Sequence, residues 1–257
     1  MVPTSDNSLT AHPMDSPHHT PPVVPSQPGR PPQIRGHPLR SPGLLARWPL
    51  IGLLLVVLGC LAFGAIAVSL QTNGPLIQAD VPLDNDLHAA ALHSSPVIRE
   101  GMIVGSYVGK EVIVAIGALL VLYFIRHRFW PELAMVVVAW AGEGVLWLVL
   151  ANDFGRPRPV FAVPVWHQMT APSFPSGHSL SAVVCYGWLA YLLVPRISGR
   201  FWKAVLIGLA ILVILYVGFS RLFVGDHYLS DVLAGYALGV GWSGFVYTVI
   251  ERLSQRR

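Results

Sequence analysis

The chain has 257 residues, 53% of them hydrophobic and only 12% charged. Soluble domains carry about 25% charged residues, so this composition excludes an ordinary soluble enzyme and points to a polytopic membrane protein. The formal charge of +4 and pI near 9.3 do not argue for nucleic-acid binding, because basic residues in membrane proteins chiefly set topology.

Residues 1–47 contain eleven prolines and no aromatic side chain. Such a segment cannot bury enough apolar surface to offset its ordering entropy, so it reads as a disordered tail ahead of a membrane domain at 48–257. Its four histidines, His12, His18, His19 and His37, are too irregularly spaced to read as a metal site.

Six apolar stretches follow at about residues 50–70, 101–125, 133–151, 179–194, 201–219 and 229–250. Each is close to the ~20 residues that span a bilayer. The expected fold is therefore all-α, a six-transmembrane-helix bundle. Ala65-Ile66-Ala67 imitates a signal-peptidase site but lies inside the first apolar run, so an uncleaved helix is expected. Residues 76–95 read as a loop between the first two spans. Cys60 and Cys185 fall in apolar runs and support no disulfide framework.

With the N-terminus in the cytoplasm, the inner segments collect Arg30, Arg35, Arg40, Arg47, Arg126, Arg128, Arg196, Arg200, Lys203, Arg252, Arg256 and Arg257. The outer segments keep only Arg99, Arg156, Arg158 and Arg221. That asymmetry predicts both termini inside. Three of the outer arginines lie among residues with chemical potential, against the topological trend. Lys110, Glu111 and Glu143 fall within spans. Ionisable groups there are expensive and usually paired, and a Lys110–Glu143 pair is the expectation.

The chemistry-bearing residues cluster at predicted outer helix ends: Gly155-Arg156-Pro157-Arg158-Pro159, Pro175-Ser176-Gly177-His178, and Ser220-Arg221, five residues, His227, three residues, Asp231. A histidine with a carboxylate orienter and a second histidine make a nucleophile-and-acid set. Arginines and a Ser-Gly helix start make a socket for a tetrahedral oxyanion. Arg158-Pro159 and the two later motifs resemble the three signatures of the type 2 phosphatidic acid phosphatase superfamily, over about residues 50–250.

That resemblance implies a metal-independent lipid phosphatase with no cofactor, and the arginine asymmetry puts its site at the extracytoplasmic membrane face. His227 would be the nucleophile forming a phosphohistidine, oriented by Asp231, and His178 the general acid. Arg158 and Arg221 would hold the phosphate, with Ser176 and the Gly177 amide completing the socket. Ser220 is open between a turn cap and a substrate contact. Asp226 reads as a solvated interface residue and Trp166 as an interfacial anchor.

One position departs from the family. Its first motif begins with lysine seven residues before the final Arg-Pro, and here that residue is Ala151. Losing one charge-assisted contact is worth roughly 10²-fold in rate. Arg156 is the residue that could compensate as a phosphate ligand. Undecaprenyl diphosphate is the first expected substrate, because its phosphate is exposed outside after glycan transfer. Phosphatidylglycerophosphate and phosphatidic acid are the alternatives. A catalytically weakened lipid-binding scaffold is the rival from another class, favoured by Ala151 and opposed by the intact histidines. Vanadate-dependent oxidation is disfavoured by the chain's small size and six spans. The expected partners are the lipid substrate and the bilayer, not nucleic acid, and homo-oligomerisation is left open.

Overall fold

The computed structural model describes residues 49–167 and 169–255. The proline-rich tail expected to be disordered, with its histidines, lies outside the described residues. These form helices α1 (Pro49–Thr72), α2 (Pro75–His93), α3 (Pro96–Val108), α4 (Glu111–Arg126), α5 (Trp130–Phe154), α6 (Gly177–Leu193), α7 (Arg200–Phe223) and α8 (Leu229–Gln255), with a single 3-10 turn at Val194–Arg196. No strand occurs among the described residues, and six segments are long and apolar enough to cross a membrane. The expected all-α class and number of spans hold. This is a multi-pass membrane protein.

The outward faces are greasy, as lipid requires: Leu53, Leu61, Val114, Leu119, Val145 and Leu212 are all more than half exposed. In lipid there is little hydrophobic drive between helices, so close packing must hold them together. Glycines provide it around α8, which packs between α1 and α6. A Cβ on Gly59 of α1 would stand 2.5 Å from the Gly241 amide nitrogen, and one on Gly235 would stand 2.5 Å from the Ser176 carbonyl oxygen. Neither contact leaves room for a side chain. The second of these contacts brings the start of α6 against the start of α8, where the chemistry lies. Deeper, Trp188 packs with Phe124, Val136 and Tyr247, while Cys185 packs with Ala182, Ile113 and Val217.

Three expectations need correction. Residues 76–95 are not a loop. Helix α2 begins there with Pro75 in its first turn, where a missing N–H costs nothing. Its buried residues are Asp80, Asp84, His88 and Ala91, so a search for an apolar face passes over it. The second span is longer than expected and broken: α3 ends at Val108, α4 begins at Glu111, and Lys110 leaves helical geometry at φ −138°, ψ −69°. The break explains the third correction, because counting residues down a continuous helix no longer locates Lys110. Glu143 instead accepts a 2.6 Å hydrogen bond from the Ser181 hydroxyl, and Lys110 forms no ion pair among the described residues.

Candidate active site

The site is built where the ends of α5 and α7 meet the starts of α6 and α8. Helix α5 closes on Gly155, whose left-handed φ of 58° lets its N–H bond back to Ala151. The chain then leaves as Arg156-Pro157-Arg158-Pro159, extended by its prolines. Helix α7 delivers Arg221, after which Gly225, at φ 75°, reverses the chain. The Asp226 amide returns to the Arg221 carbonyl at 3.0 Å. This turn folds His227 inward until it is 1% exposed.

His227 lies between an arginine and a carboxylate. Arg158 Nη1 is 3.1 Å from Nε2, and a guanidinium can only donate. Nε2 must therefore present its lone pair, which leaves the ring proton on Nδ1. Nδ1 is 3.6 Å from Asp231 Oδ2, an ion-pair distance rather than a hydrogen bond. Catalytic hydrogen bonds are often this loose before substrate binds. Burial pushes the His227 imidazole below its ordinary value of 6.5; Asp231 opposes that shift and Arg158 adds to it. The resulting group is neutral at physiological pH, with Nε2 available to an electrophile.

Asp231 is held from several sides. Oδ2 accepts the Tyr228 amide at 2.9 Å, and Oδ1 accepts from Arg156 at 2.6 Å. Its carbonyl takes the Ser176 amide at 3.0 Å, which ties the second motif to the third. Ser176 caps α6, its oxygen accepting the Ser179 amide at 3.5 Å and the Ser179 hydroxyl at 3.1 Å. Its own proton remains to be donated. Gly177 opens the helix, where amides lack intrahelical acceptors, and Trp147 packs so close that a Cβ there would stand 3.0 Å from its Nε1. His178 follows and interacts electrostatically with Arg221, His227 and Arg158.

Arg221 donates from Nη1 to Asp226 at 2.9 Å, while its buried Nε and Nη2 have no protein acceptor. Buried donors are nearly always satisfied, so this pair marks where an anion fits. Arg158 is anchored by the carbonyls of Ala171 and Asp226 at 2.7 and 2.9 Å. Thus His227, His178, Asp231, Arg158, Arg221, Ser176 and Gly177 converge.

Arg156 does not join them. Its guanidinium binds Asp231, Ser230 and, at 2.8 Å, Asp80, and it lies 4.2 Å over the Tyr228 ring. Two buried carboxylates and Ser230 engage both of its Nη atoms, so these are not free to replace the lysine missing at Ala151. Asp226 is likewise no solvated residue: it is 3% exposed and paired with Arg221. The Ser220 hydroxyl donates to the Val217 carbonyl of its own helix at 2.6 Å, which settles it as a local bond. Trp166 packs edge-on against Tyr107, with ring centroids 6.0 Å apart.

Asp80 is the residue that sequence reading missed. It accepts from Arg156, from the Ser230 amide at 3.0 Å and from the Ser230 hydroxyl. Asp84, one turn on, has its carboxyl pushed up to about 7 by burial, with Asp80 and Asp231 adding to the shift. The available signal was a pair of acidic residues four apart, Asp80 and Asp84, in a connecting segment of a chain otherwise poor in charge.

Comparison with known proteins agrees with this geometry. Residues 132–255 match the PAP2 superfamily. Phosphatidylglycerophosphatase B of Bacillus subtilis (strain 168) is 34% identical over 187 residues, covering 70% of this chain and 87% of that protein. The chain belongs to the PAP2 superfamily. Lipid A 1-phosphatase of Rhizobium etli is also 34% identical, over 116 residues, but the chain spans only 45% of that protein and the match covers 42% of the chain. Among solved structures, the transmembrane PAP2-type phosphatidylglycerolphosphate phosphatase from Bacillus subtilis superposes with a TM-score of 0.60 at 30% identity. That match covers 80% of this chain and 98% of the other. The chain is accordingly a hydrolase of the lipid phosphatase class.

Proposed function

We propose that the chain hydrolyses the phosphomonoester of a glycerophospholipid, with phosphatidylglycerophosphate the foremost candidate, by way of a phosphohistidine and without a metal. The observation that carries the mechanism is the Arg158 donor on His227 Nε2 with Asp231 behind Nδ1. The phosphatidylglycerophosphatase relative supports this head group over the undecaprenyl diphosphate that the sequence suggested first.

The substrate phosphate draws Arg158 off the nitrogen lone pair and takes the unpaired Arg221 donors. Nε2 attacks phosphorus, a P–N bond forms, and the ester P–O bond breaks as His178 gives its proton to the leaving oxygen. Asp231 stabilises the imidazolium character that develops. Water then attacks phosphorus, His178 takes its proton, and the P–N bond breaks to release phosphate.

Purified protein in detergent should release phosphate from phosphatidylglycerophosphate faster than from phosphatidic acid or undecaprenyl diphosphate. The rate should survive EDTA and fall with vanadate, a mimic of the pentacoordinate state. Strict dependence on added Mg²⁺ would sink the mechanism, and a preference for the diphosphate would reinstate the first substrate.

The site is assigned to the extracytoplasmic face on the arginine asymmetry. Asp86, exposed on α2, offers a reporter. With Cys60 and Cys185 replaced by alanine, Asp86→Cys should react with an impermeant maleimide on intact cells. Labelling only after lysis would turn the protein over.

A further inference from the structure

The lysine that opens the superfamily's first motif is replaced by Ala151, which is 1% exposed and carries no charge. We propose that Lys110, presented by the break in the second span, supplies the missing cation and binds a nonbridging oxygen of the substrate phosphate; this rests on the lipid-phosphatase reading above.

The break lies against the catalytic helices. A Cβ on Gly109 would stand 2.5 Å from Val217 Cγ1 of α7 and 3.3 Å from His178 Cδ2 of α6. One turn earlier, a Cβ on Gly105 would stand 2.5 Å from Ser220 Cβ. The backbone over 105–109 therefore runs directly on the surface that carries His178, Ser220 and Arg221. Tyr186 of α6 donates to the Val108 carbonyl at 2.7 Å, satisfying an acceptor at the interruption. The break is thus held by a side chain of the same helix that bears His178.

Lys110 follows Gly109 immediately, with a flexible four-carbon stem. It interacts electrostatically with His178, and its neighbour Glu111, in the first turn of α4, interacts with Arg221. An ammonium inside a membrane span is expensive and normally paired, yet no carboxylate pairs with Lys110 among the described residues. An anionic ligand in the pocket provides that partner. The charge balance requires one. Asp226 and Glu111 offset the charge of Arg221, so its open Nε and Nη2 donors together with Arg158 leave a phosphate dianion short of positive charge. A chain with the lysine at position 151 would not need a second one here. This chain, lacking it, has a lysine entering from another helix.

Three variants test the assignment: Lys110→Met, which keeps the apolar stem, Lys110→Ala, and Lys110→Arg. Lys110 is exposed, so all three should fold with the wild-type Tm. Lys110→Met and Lys110→Ala should lose about 10²-fold in kcat/KM, and Lys110→Arg should retain most of it. Orthovanadate should raise the Tm of the wild type and of Lys110→Arg, and do so far less for Lys110→Met. Wild-type kcat/KM in Lys110→Met, or an undiminished vanadate shift, would overturn the assignment. A wild type inert towards every lipid phosphate, but stabilised by vanadate through Lys110, would instead sink the lipid-phosphatase reading and leave the anion site standing.

Discussion

His227→Ala should abolish turnover of every substrate, a loss of about 10⁴-fold or more, while vanadate still binds. The ring is 1% exposed and, among the described residues, supplies the lone pair set between Arg158 and Asp231, so its loss removes the attacking nitrogen. His178→Ala should behave differently. An alkoxide needs a proton to leave, but an activated aryl oxide does not. That variant should therefore give a burst of aryl product equal to the enzyme present, then stall for want of a base to activate water. Absence of a burst would exchange or revise the two roles. The pH profile carries a matching signature. Only neutral His227 attacks, and its folded pKa lies below 6.5 because burial outweighs Asp231. Activity should persist as pH falls through 6.5 and fail only at the lower value. An acid limb above 6.5 on His227 would contradict the burial.

The legible parts of this protein were those where local pattern and global role agree. Six spans are visible because lipid demands about twenty apolar residues whatever the partners. His178, Arg221, His227 and Asp231 are visible because their spacing is fixed by local turns: Gly225 reverses the chain, and the Tyr228 amide bonds Asp231 across three residues. What escaped depends on contacts distant in sequence. Arg156 and Arg158 sit two residues apart, yet one meets Asp80 and Asp231 while the other meets His227 and Asp226. Nothing local distinguishes them. Helix α2 escaped because it buries carboxylates against Arg156 and Ser230, 76 and 150 residues away in sequence. The break at Lys110 escaped because α3 and α4 together read as one apolar run.

Asp231→Asn should lower kcat by about 10⁴-fold with little change in KM, because the phosphate ligands Arg158 and Arg221 are untouched. Three donors converge on this carboxylate: Arg156 at Oδ1, and the Tyr228 amide and His227 Nδ1 at Oδ2. An asparagine has one acceptor oxygen, so its NH₂ must oppose either Arg156 at the Oδ1 position or both the Tyr228 amide and His227 Nδ1 at the Oδ2 position. If it faces His227, it favours the tautomer that places the proton on Nε2 and removes the lone pair. Asp80→Asn separates this effect from simple scaffolding. Asp80 binds Arg156 and Ser230 but not His227, so its loss leaves the tautomer intact. It does weaken the pairing of a mostly buried arginine, whose outright loss costs about 3 kcal/mol. Asp80→Asn should therefore lower Tm clearly while reducing kcat about tenfold, the size of one charge-assisted hydrogen bond. Asp231→Asn should reverse that order, with catalysis hit harder than stability. Equal losses of kcat in the two variants would mean that the Asp80–Arg156–Asp231 chain acts on His227 as one unit. Asp231→Asn within tenfold of wild type would remove Asp231 from its orienting role.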